Sequence, residues 1–282
     1  MAQILKGAPV AADILRNVTV RVEKLKSAGV QPGLAILRVG DRPDDVYYEN
    51  AAAAKCGKTG IAVKKVTLSA DISAAALLDA VEALNRDREI HGVLVLRPLP
   101  GKLDAAVSSR LTAEKDVDGI TPLSLSGVFT GSGIGFAPCT AEACMEILKF
   151  YGIGVKGKRA VVIGRSLVIG RPVSMMLMRE HATVTICHTR TEDVSSHTRA
   201  AELVVSAAGR AGTLTGDMLS PGAVVVDVGM NPDGKGGFTG DAVFESAEGV
   251  AGAITPVPGG VGSVTTAVLL RHVIEAAEKS VL

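Results

Sequence analysis

The chain of 282 residues contains no tryptophan, and aromatic side chains make up only 3% of it. Stacking platforms for single-stranded nucleic acid or sugars are thereby disfavoured. Charge of either sign is not in excess: 30 Lys and Arg face 29 Asp and Glu, for a net charge of +1. No basic field is available to hold nucleic acid or an anionic membrane surface. Cysteine is scarce as well. Cys56, Cys139, Cys144 and Cys187 form no CxxC pair and no Cys/His ligand spacing, so neither a disulfide framework nor a metal site is expected. No apolar run approaches the length of a membrane span, and Met1–Lys6 lack the order of a signal peptide, which predicts a cytoplasmic protein.

What is present is a regular alternation of helical and strand patterns. Ala12, Ile14, Leu15, Val18, Val20, Val22 and Leu25 recur at helical spacing over residues 8–28. A buried strand follows over Pro32–Val39, then a helix over Asp44–Thr59, a strand over Ile61–Val66, a helix over Ser73–Asn85 and the apolar strand Gly92–Leu96. A polar, glycine-rich stretch from Glu114 to Gly135 breaks the rhythm and marks a domain seam. Beyond it lie a helix over Thr140–Tyr151, a strand over Arg159–Ile163, a helix over Gly170–Arg179, and strands over Thr183–Cys187, Leu203–Ala207 and Ala223–Val228. Such alternation predicts an α/β fold with parallel sheets in two domains. The first spans residues 1–139 plus a returning helix in 264–282; the second, Rossmann-type, spans 140–263.

Two motifs carry chemistry. Strand Ala160–Ile163 runs into Gly164-Arg165-Ser166-Leu167-Val168-Ile169-Gly170-Arg171-Pro172 and an apolar helix. A glycine turn between strand and helix presents free N–H groups that favour a pyrophosphate, so this is a candidate dinucleotide site, although GxSxxxGxP also suits a purely structural turn. An NAD site usually carries a carboxylate about 20 positions on. Here stand His188-Thr189-Arg190-Thr191, with no carboxylate before Glu192. Together with Arg165 these residues suit the 2′-phosphate of NADP; the alternative is that Arg165 and Arg190 are ordinary surface arginines. The second motif, Pro256-Val257-Pro258-Gly259-Gly260-Val261-Gly262, is a rigid turn opening on the final helix. It suits close approach of a ligand to main-chain N–H groups, or simply a tight loop.

Taken in order, Val39-Gly40-Asp41-Arg42-Pro43 with Tyr48, Pro98-Leu99-Pro100, Lys115-Asp116-Val117-Asp118-Gly119, Pro138-Cys139-Thr140, Gly164-Arg165-Ser166 with Gly170 and Pro172, Asp227-Val228-Gly229, and Pro256–Gly262 resemble the methylenetetrahydrofolate dehydrogenase/methenyltetrahydrofolate cyclohydrolase family. The resemblance spans nearly the whole chain. It implies a folate-binding catalytic domain and an NADP-binding Rossmann domain with a cleft between them, tetrahydrofolate derivatives as substrates, and a homodimer. It places Tyr48 and Asp118 in the catalytic centre, Tyr48 stacking on the folate and Asp118 accepting N–H bonds from the pterin edge, with Pro258, Gly259 and Gly260 near substrate. Gly164, Arg165, Ser166, Gly170, Pro172, His188, Thr189, Arg190, Gly229 and Thr265 are its cofactor residues.

The sequence departs from the family pattern at a telling place. The family lysine four residues after the tyrosine is Ala52 here, and the family glutamine before Leu-Pro-Leu-Pro is Leu96, followed by Arg97. A serine three residues before the tyrosine is Asp45. Hydride removal needs no proton transfer, whereas ring opening by water does. The expectation is an NADP-dependent dehydrogenase with weak or absent cyclohydrolase activity. Three alternatives remain open: a bifunctional enzyme using Lys55, a folate and dinucleotide binding protein without turnover, and a shikimate-type dehydrogenase, which would need a Lys/Asp pair not evident here.

Overall fold

A computed structural model describes residues 1–281. The first part of the chain runs β1 (Gln3–Ile4), α1 (Gly7–Ser27), β2 (Gly33–Val39), α2 (Pro43–Thr59), β3 (Ala62–Leu68), α3 (Ala74–Arg86) and β4 (Gly92–Val95). Then come α4 (Asp104–Arg110), α5 (Pro122–Thr130), α6 (Cys139–Phe150), β5 (Arg159–Ile163), α7 (Gly170–Arg179), β6 (Thr183–Cys187) and α8 (Val194–Arg199). The remainder is β7 (Leu203–Ser206), β8 (Val224–Asp227), β9 (Asn231–Pro232), β10 (Phe238–Thr239), α9 (Phe244–Glu248), β11 (Ala253–Ile254) and α10 (Val261–Lys279). The α/β character with parallel sheets agrees with the sequence reading.

The chain divides into two compact units. One comprises Asp13–Ala137 and the segment from Thr266 onward; the other comprises Met1–Ala12 and Pro138–Thr265. In the first, the parallel sheet has the order β3-β2-β4. β2 is buried at every position, the pattern of a strand covered on both faces. Leu77, Val81 and Leu84 of α3 pack with Ala35, Leu37, Val93 and Val95. Each such side chain removed from water contributes about 1.5–3 kcal/mol before chain entropy is set against it. The helix starts cleanly because the Ser73 hydroxyl accepts the N–H of Ala76.

The closing helix, from Thr266 onward, packs in this unit. Arg21 of α1 donates two bonds to the Glu278 carboxylate, and the His272 ring makes a 2.8 Å hydrogen bond with the Val117 carbonyl. The glycine-rich seam is less irregular than its composition suggests, because it contains α5. Thr121 caps that helix by accepting from Ser124 N–H, Pro122 sits in its first turn, and Gly131 ends it in the left-handed conformation.

The second unit holds a six-stranded, wholly parallel sheet of order β1-β11-β8-β7-β5-β6. Its core includes Val161, Ile163, Val204, Val225 and Ile254. Residues 1–12 belong here rather than with residues 13–137, where the sequence reading put them. Gln3 and Ile4 pair with Ala253 and Ile254, a contact that a two-residue strand with no periodicity does not advertise.

Candidate active site

The order of the larger sheet fixes where a ligand can enter. β5 has β6 on one side and β7 on the other, so the chain runs outward from β5 to β6 and then crosses back past β5 to β7. Beyond the carboxyl ends of strands at such a switch point lies an opening. Every cofactor candidate except Thr265 follows the carboxyl end of a parallel strand or begins the helix after it: Gly164–Pro172 after β5, His188–Arg190 after β6, and Gly229 after β8. The Pro258–Gly260 loop follows β11 in the same way.

Glycine is required at two of these places. Gly164 has φ +129°, and a Cβ there would lie 2.2 Å from the Ala207 carbonyl oxygen. A Cβ on Gly170 would lie 2.2 Å from the Gly164 carbonyl oxygen. The turn between them is held by the Ser166 hydroxyl, which accepts the N–H of Ile169 at 3.1 Å, and by Arg171 N–H donating to the Ser166 carbonyl. Pro172 is buried in the first turn of α7, while Arg165 and Ser166 are exposed. These close approaches leave a backbone cradle at the start of a helix, suited to a pyrophosphate.

The loop after β6 is equally ordered. Arg190 N–H donates to His188 Nδ1 at 3.1 Å, and Thr191 Oγ1 accepts from His188 N–H. The neutral His188 ring therefore carries its proton on Nε2. The side chains of Thr189 and Arg190 face solvent, available to a ligand.

Around Gly229 stand two buried carboxylates, Asp227 from the Asp227-Val228-Gly229 motif and Asp241, which sequence reasoning did not single out. Asp227 accepts from the N–H groups of Gly229, Asp241 and Ala242. Asp241, fully buried, accepts from three successive N–H groups, those of Ala208, Gly209 and Arg210, and from the Asn231 amide. Burial pushes the Asp227 carboxyl up to about 6 against the pull of its three N–H donors, and the neighbouring Asp241 adds to the rise. Asp241 thus fixes the loop after β7, on the far side of the switch point from Gly164. The one available signal was Gly240-Asp241, unremarkable without the fold.

The Pro256–Gly262 turn is clamped from the chain start. Gly7 N–H donates to the Gly259 carbonyl at 2.8 Å, and a Cβ on Gly7 would meet the Gly260 carbonyl oxygen at 2.1 Å. Gly259 has φ +101°. Pro258 and Gly259 are exposed and Gly260 is buried. Thr265 lies one turn into α10, half-buried, its hydroxyl donating to the Val261 carbonyl at 3.4 Å.

In the other unit, Tyr48 is half-buried on α2. That helix is tied to the sheet by Glu49, 3% exposed, which binds Arg38 of β2 at 3.0 Å and Lys65 of β3 at 3.0 Å. Burial alone would raise the Glu49 carboxyl, but the hydrogen bonds of Lys65 and Arg38 outweigh it and hold the group below its usual range. Asp45, at the family's serine position, makes two bonds with Arg42 at 2.8 and 2.9 Å. Ala52 is 1% exposed and Leu96 6%, so both departures are apolar and buried. Lys55 is half-buried and its amine makes no ion pair or hydrogen bond among the described residues; burial holds its ammonium below the ordinary lysine range. The Arg97 guanidinium lies 4.0 Å from the Asp118 carboxylate, a partner that the sequence reading left unassigned.

Comparison with known proteins agrees with this geometry. Residues 5–118 match the model of the tetrahydrofolate dehydrogenase/cyclohydrolase catalytic domain, and residues 138–281 match that of its NAD(P)-binding domain. The chain is 46% identical over 281 residues to the bifunctional protein FolD of Clostridium botulinum, covering 99% of this chain and 100% of that protein. Among solved structures it is similar to the bifunctional FolD of Campylobacter jejuni, with 38% identity, a TM-score of 0.96 and 99% of each chain covered. It is also similar to the Trypanosoma brucei methylenetetrahydrofolate dehydrogenase-cyclohydrolase complexed with NADP cofactor and inhibitor, with 36% identity, a TM-score of 0.93, and 99% and 98% covered. The chain belongs to the tetrahydrofolate dehydrogenase/cyclohydrolase family.

Proposed function

We propose that this protein oxidises 5,10-methylenetetrahydrofolate to 5,10-methenyltetrahydrofolate with NADP as the oxidant, and that its hydrolysis of the product is weak or absent. The dehydrogenase reading is supported by the names of its relatives and by the Trypanosoma brucei complex with NADP. The observation that carries the second part is Ala52, 1% exposed, one helical turn beyond Tyr48. The relatives are called bifunctional, so this chain would differ from them in its second step.

NADP, when bound, supplies the hydride acceptor. Gly164, Ser166 and Gly170 would hold its pyrophosphate, and Arg165, Thr189 and Arg190 its 2′-phosphate. Gly229 and Thr265 would complete the cofactor site beside His188 and Pro172. Tyr48 would stack on the folate and Asp118 would accept the paired N–H groups of the pterin edge, with Pro258, Gly259 and Gly260 as further substrate residues. The methylene carbon gives up a hydride, and the two flanking nitrogens stabilise the resulting cation, so no side chain has to move a proton. Orientation and exclusion of water supply the catalysis. Ring opening is different, since a water must lose a proton as it attacks and a nitrogen must gain one as it leaves. Alanine and leucine can do neither.

The test is a side-by-side assay of NADPH formation from methylenetetrahydrofolate and of methenyltetrahydrofolate decay against buffer. Rapid NADPH formation with no enzyme-dependent decay is expected. Absence of the first overturns the dehydrogenase reading, and rapid decay overturns the second claim. One observation favours a rival: Lys55, two turns from Tyr48, keeps a half-buried amine whose ammonium form burial disfavours. On that reading hydrolysis is robust and Lys55→Ala abolishes it. A cytoplasmic homodimer is the further expectation; among the described residues no helix is long and apolar enough to cross a membrane.

A further inference from the structure

The unit containing Tyr48 has a cavity near the amino ends of its strands. Arg97 follows the carboxyl end of β4, whereas His91 precedes its amino end, and the four residues of β4 separate these ends by about 13 Å. There a cavity of ≈ 630 Å³ is lined by Arg86, Arg88, His91, Glu114, Lys115 and Lys279 among its polar residues. Four cationic side chains thus face a single carboxylate. The reading of the folate and dinucleotide sites leaves this cavity unused.

His91 gives the cavity direction. The ring is 8% exposed, and its Nδ1 accepts the N–H of Gly33 at 3.1 Å. That bond puts the proton of the neutral ring on Nε2. Nε2 makes no hydrogen bond among the described residues, and the ring lines the cavity. That N–H is open to the cavity and available to a ligand or water that can accept from it. Burial, reinforced by the charge of Lys115, holds the His91 imidazolium below its usual range, which favours the neutral ring.

The surrounding cations are placed to complement it. Arg88 is exposed at the rim and enters no ion pair or hydrogen bond through its guanidinium among the described residues. Arg86 shares its charge with Glu82 at 2.9 Å. Lys115 donates to the carbonyls of Leu84 and Asp87, at 2.9 and 2.6 Å, which leaves one of its three protons. Lys279 lies 4.7 Å from the centre of the Phe136 ring. A rigid donor, a free guanidinium fork and two anchored ammonium groups suit an anion with several acceptor oxygens.

We propose that this cavity is a binding site for a small organic polyanion bearing adjacent phosphate or carboxylate groups, separate from the folate and dinucleotide sites. The volume admits a metabolite of a few hundred cubic ångströms, the usual scale of a small-molecule site.

Pyrophosphate and citrate serve as probes of the two chemistries, each titrated calorimetrically into the full-length protein saturated with NADP, so that the cradle at Gly164–Gly170 does not compete. Saturable one-to-one binding of either probe is expected, and the tighter of the two identifies phosphate or carboxylate as the preferred group. Arg88→Ser, a rim substitution that leaves the core intact, should raise the dissociation constant about tenfold. His91→Gln should also weaken binding, and retention of the wild-type melting temperature shows that it still folds. Binding of neither probe at millimolar concentration overturns the proposal. So does binding that Arg88→Ser leaves unchanged, since the anion is then elsewhere.

Discussion

Arg97 Nη2 stands 4.0 Å from Asp118 Oδ2, with each side chain about a quarter exposed. The arginine occupies the position after Leu96, where the family pattern has leucine. The pair is too far apart for a strong hydrogen bond, and an ion pair so accessible to water contributes at most about 1 kcal/mol. Its effect is therefore on where the carboxylate sits. Arg97→Leu is expected to raise KM for methylenetetrahydrofolate about threefold with little change in kcat, the pattern of lost uniform binding. Asp118→Asn, which replaces an ionised acceptor by an amide, should lower kcat/KM by roughly a hundredfold, or about 2.7 kcal/mol. Steady-state kinetics of both variants separate a positioning residue from one that binds substrate.

Asp227 makes stability depend on pH in an unusual direction. Its carboxyl is pushed from 3.8 to about 6, so the folded chain holds a proton that the unfolded chain releases near pH 4. Stabilisation from this group is complete below pH 4, falls as pH rises to about 6 and is level above it. Two pH units correspond to roughly 3 kcal/mol. The Asp227→Asn variant lacks this titration. Urea unfolding of both proteins at intervals from pH 4 to 7 should show their stability difference shifting in the variant's favour across that window. A difference that stays constant would contradict the raised carboxyl.

On the proposed reading, cofactor preference rests on side chains that are exposed at the end of β6. Arg190 carries no hydrogen bond through its guanidinium among the described residues, while its N–H is committed to His188. Arg190→Ser should lower kcat/KM for NADP by about tenfold and leave that for NAD nearly unchanged, because only the 2′-phosphate needs the fork. Equal losses with both cofactors would assign Arg190 to the loop's architecture.

These residues were legible in the sequence because each belongs to a local pattern. A glycine turn between an apolar strand and a helix announces itself within ten residues, as Gly164–Pro172 does. Elements defined by distant partners were not legible. β1 exists because Gln3 and Ile4 meet Ala253 and Ile254, and two residues carry no period. α5 has a cap and a proline start, but its mid-helix Gly127 weakens the pattern. The glycine is there because a Cβ would lie 2.0 Å from the Ile134 carbonyl oxygen. Asp241 owes its role to N–H groups 31 to 33 residues away, a relation that only the folded chain creates.

The family's lysine and glutamine can be restored at Ala52 and Leu96, and that restoration is the sharpest test of the proposal that hydrolysis is weak or absent. Ala52 is one turn beyond Tyr48 on the same face of α2. Lys55, farther along and only half-buried, already has its ammonium disfavoured by burial. A lysine at the more deeply buried position 52 would be pushed further toward the neutral amine that a general base requires. The double variant Ala52→Lys with Leu96→Gln is expected to hydrolyse methenyltetrahydrofolate at least about tenfold faster than the parent, within the range one general base supplies. Its dehydrogenase activity should stay within about threefold, since hydride removal needs neither group. Leu96→Gln alone should gain nothing, because a glutamine amide cannot take the water's proton. Thermal melting must accompany the assay, as a buried amine lowers stability. A folded double variant that keeps oxidising substrate yet gains no hydrolysis would mean that the missing proton acceptor is not what limits the second reaction.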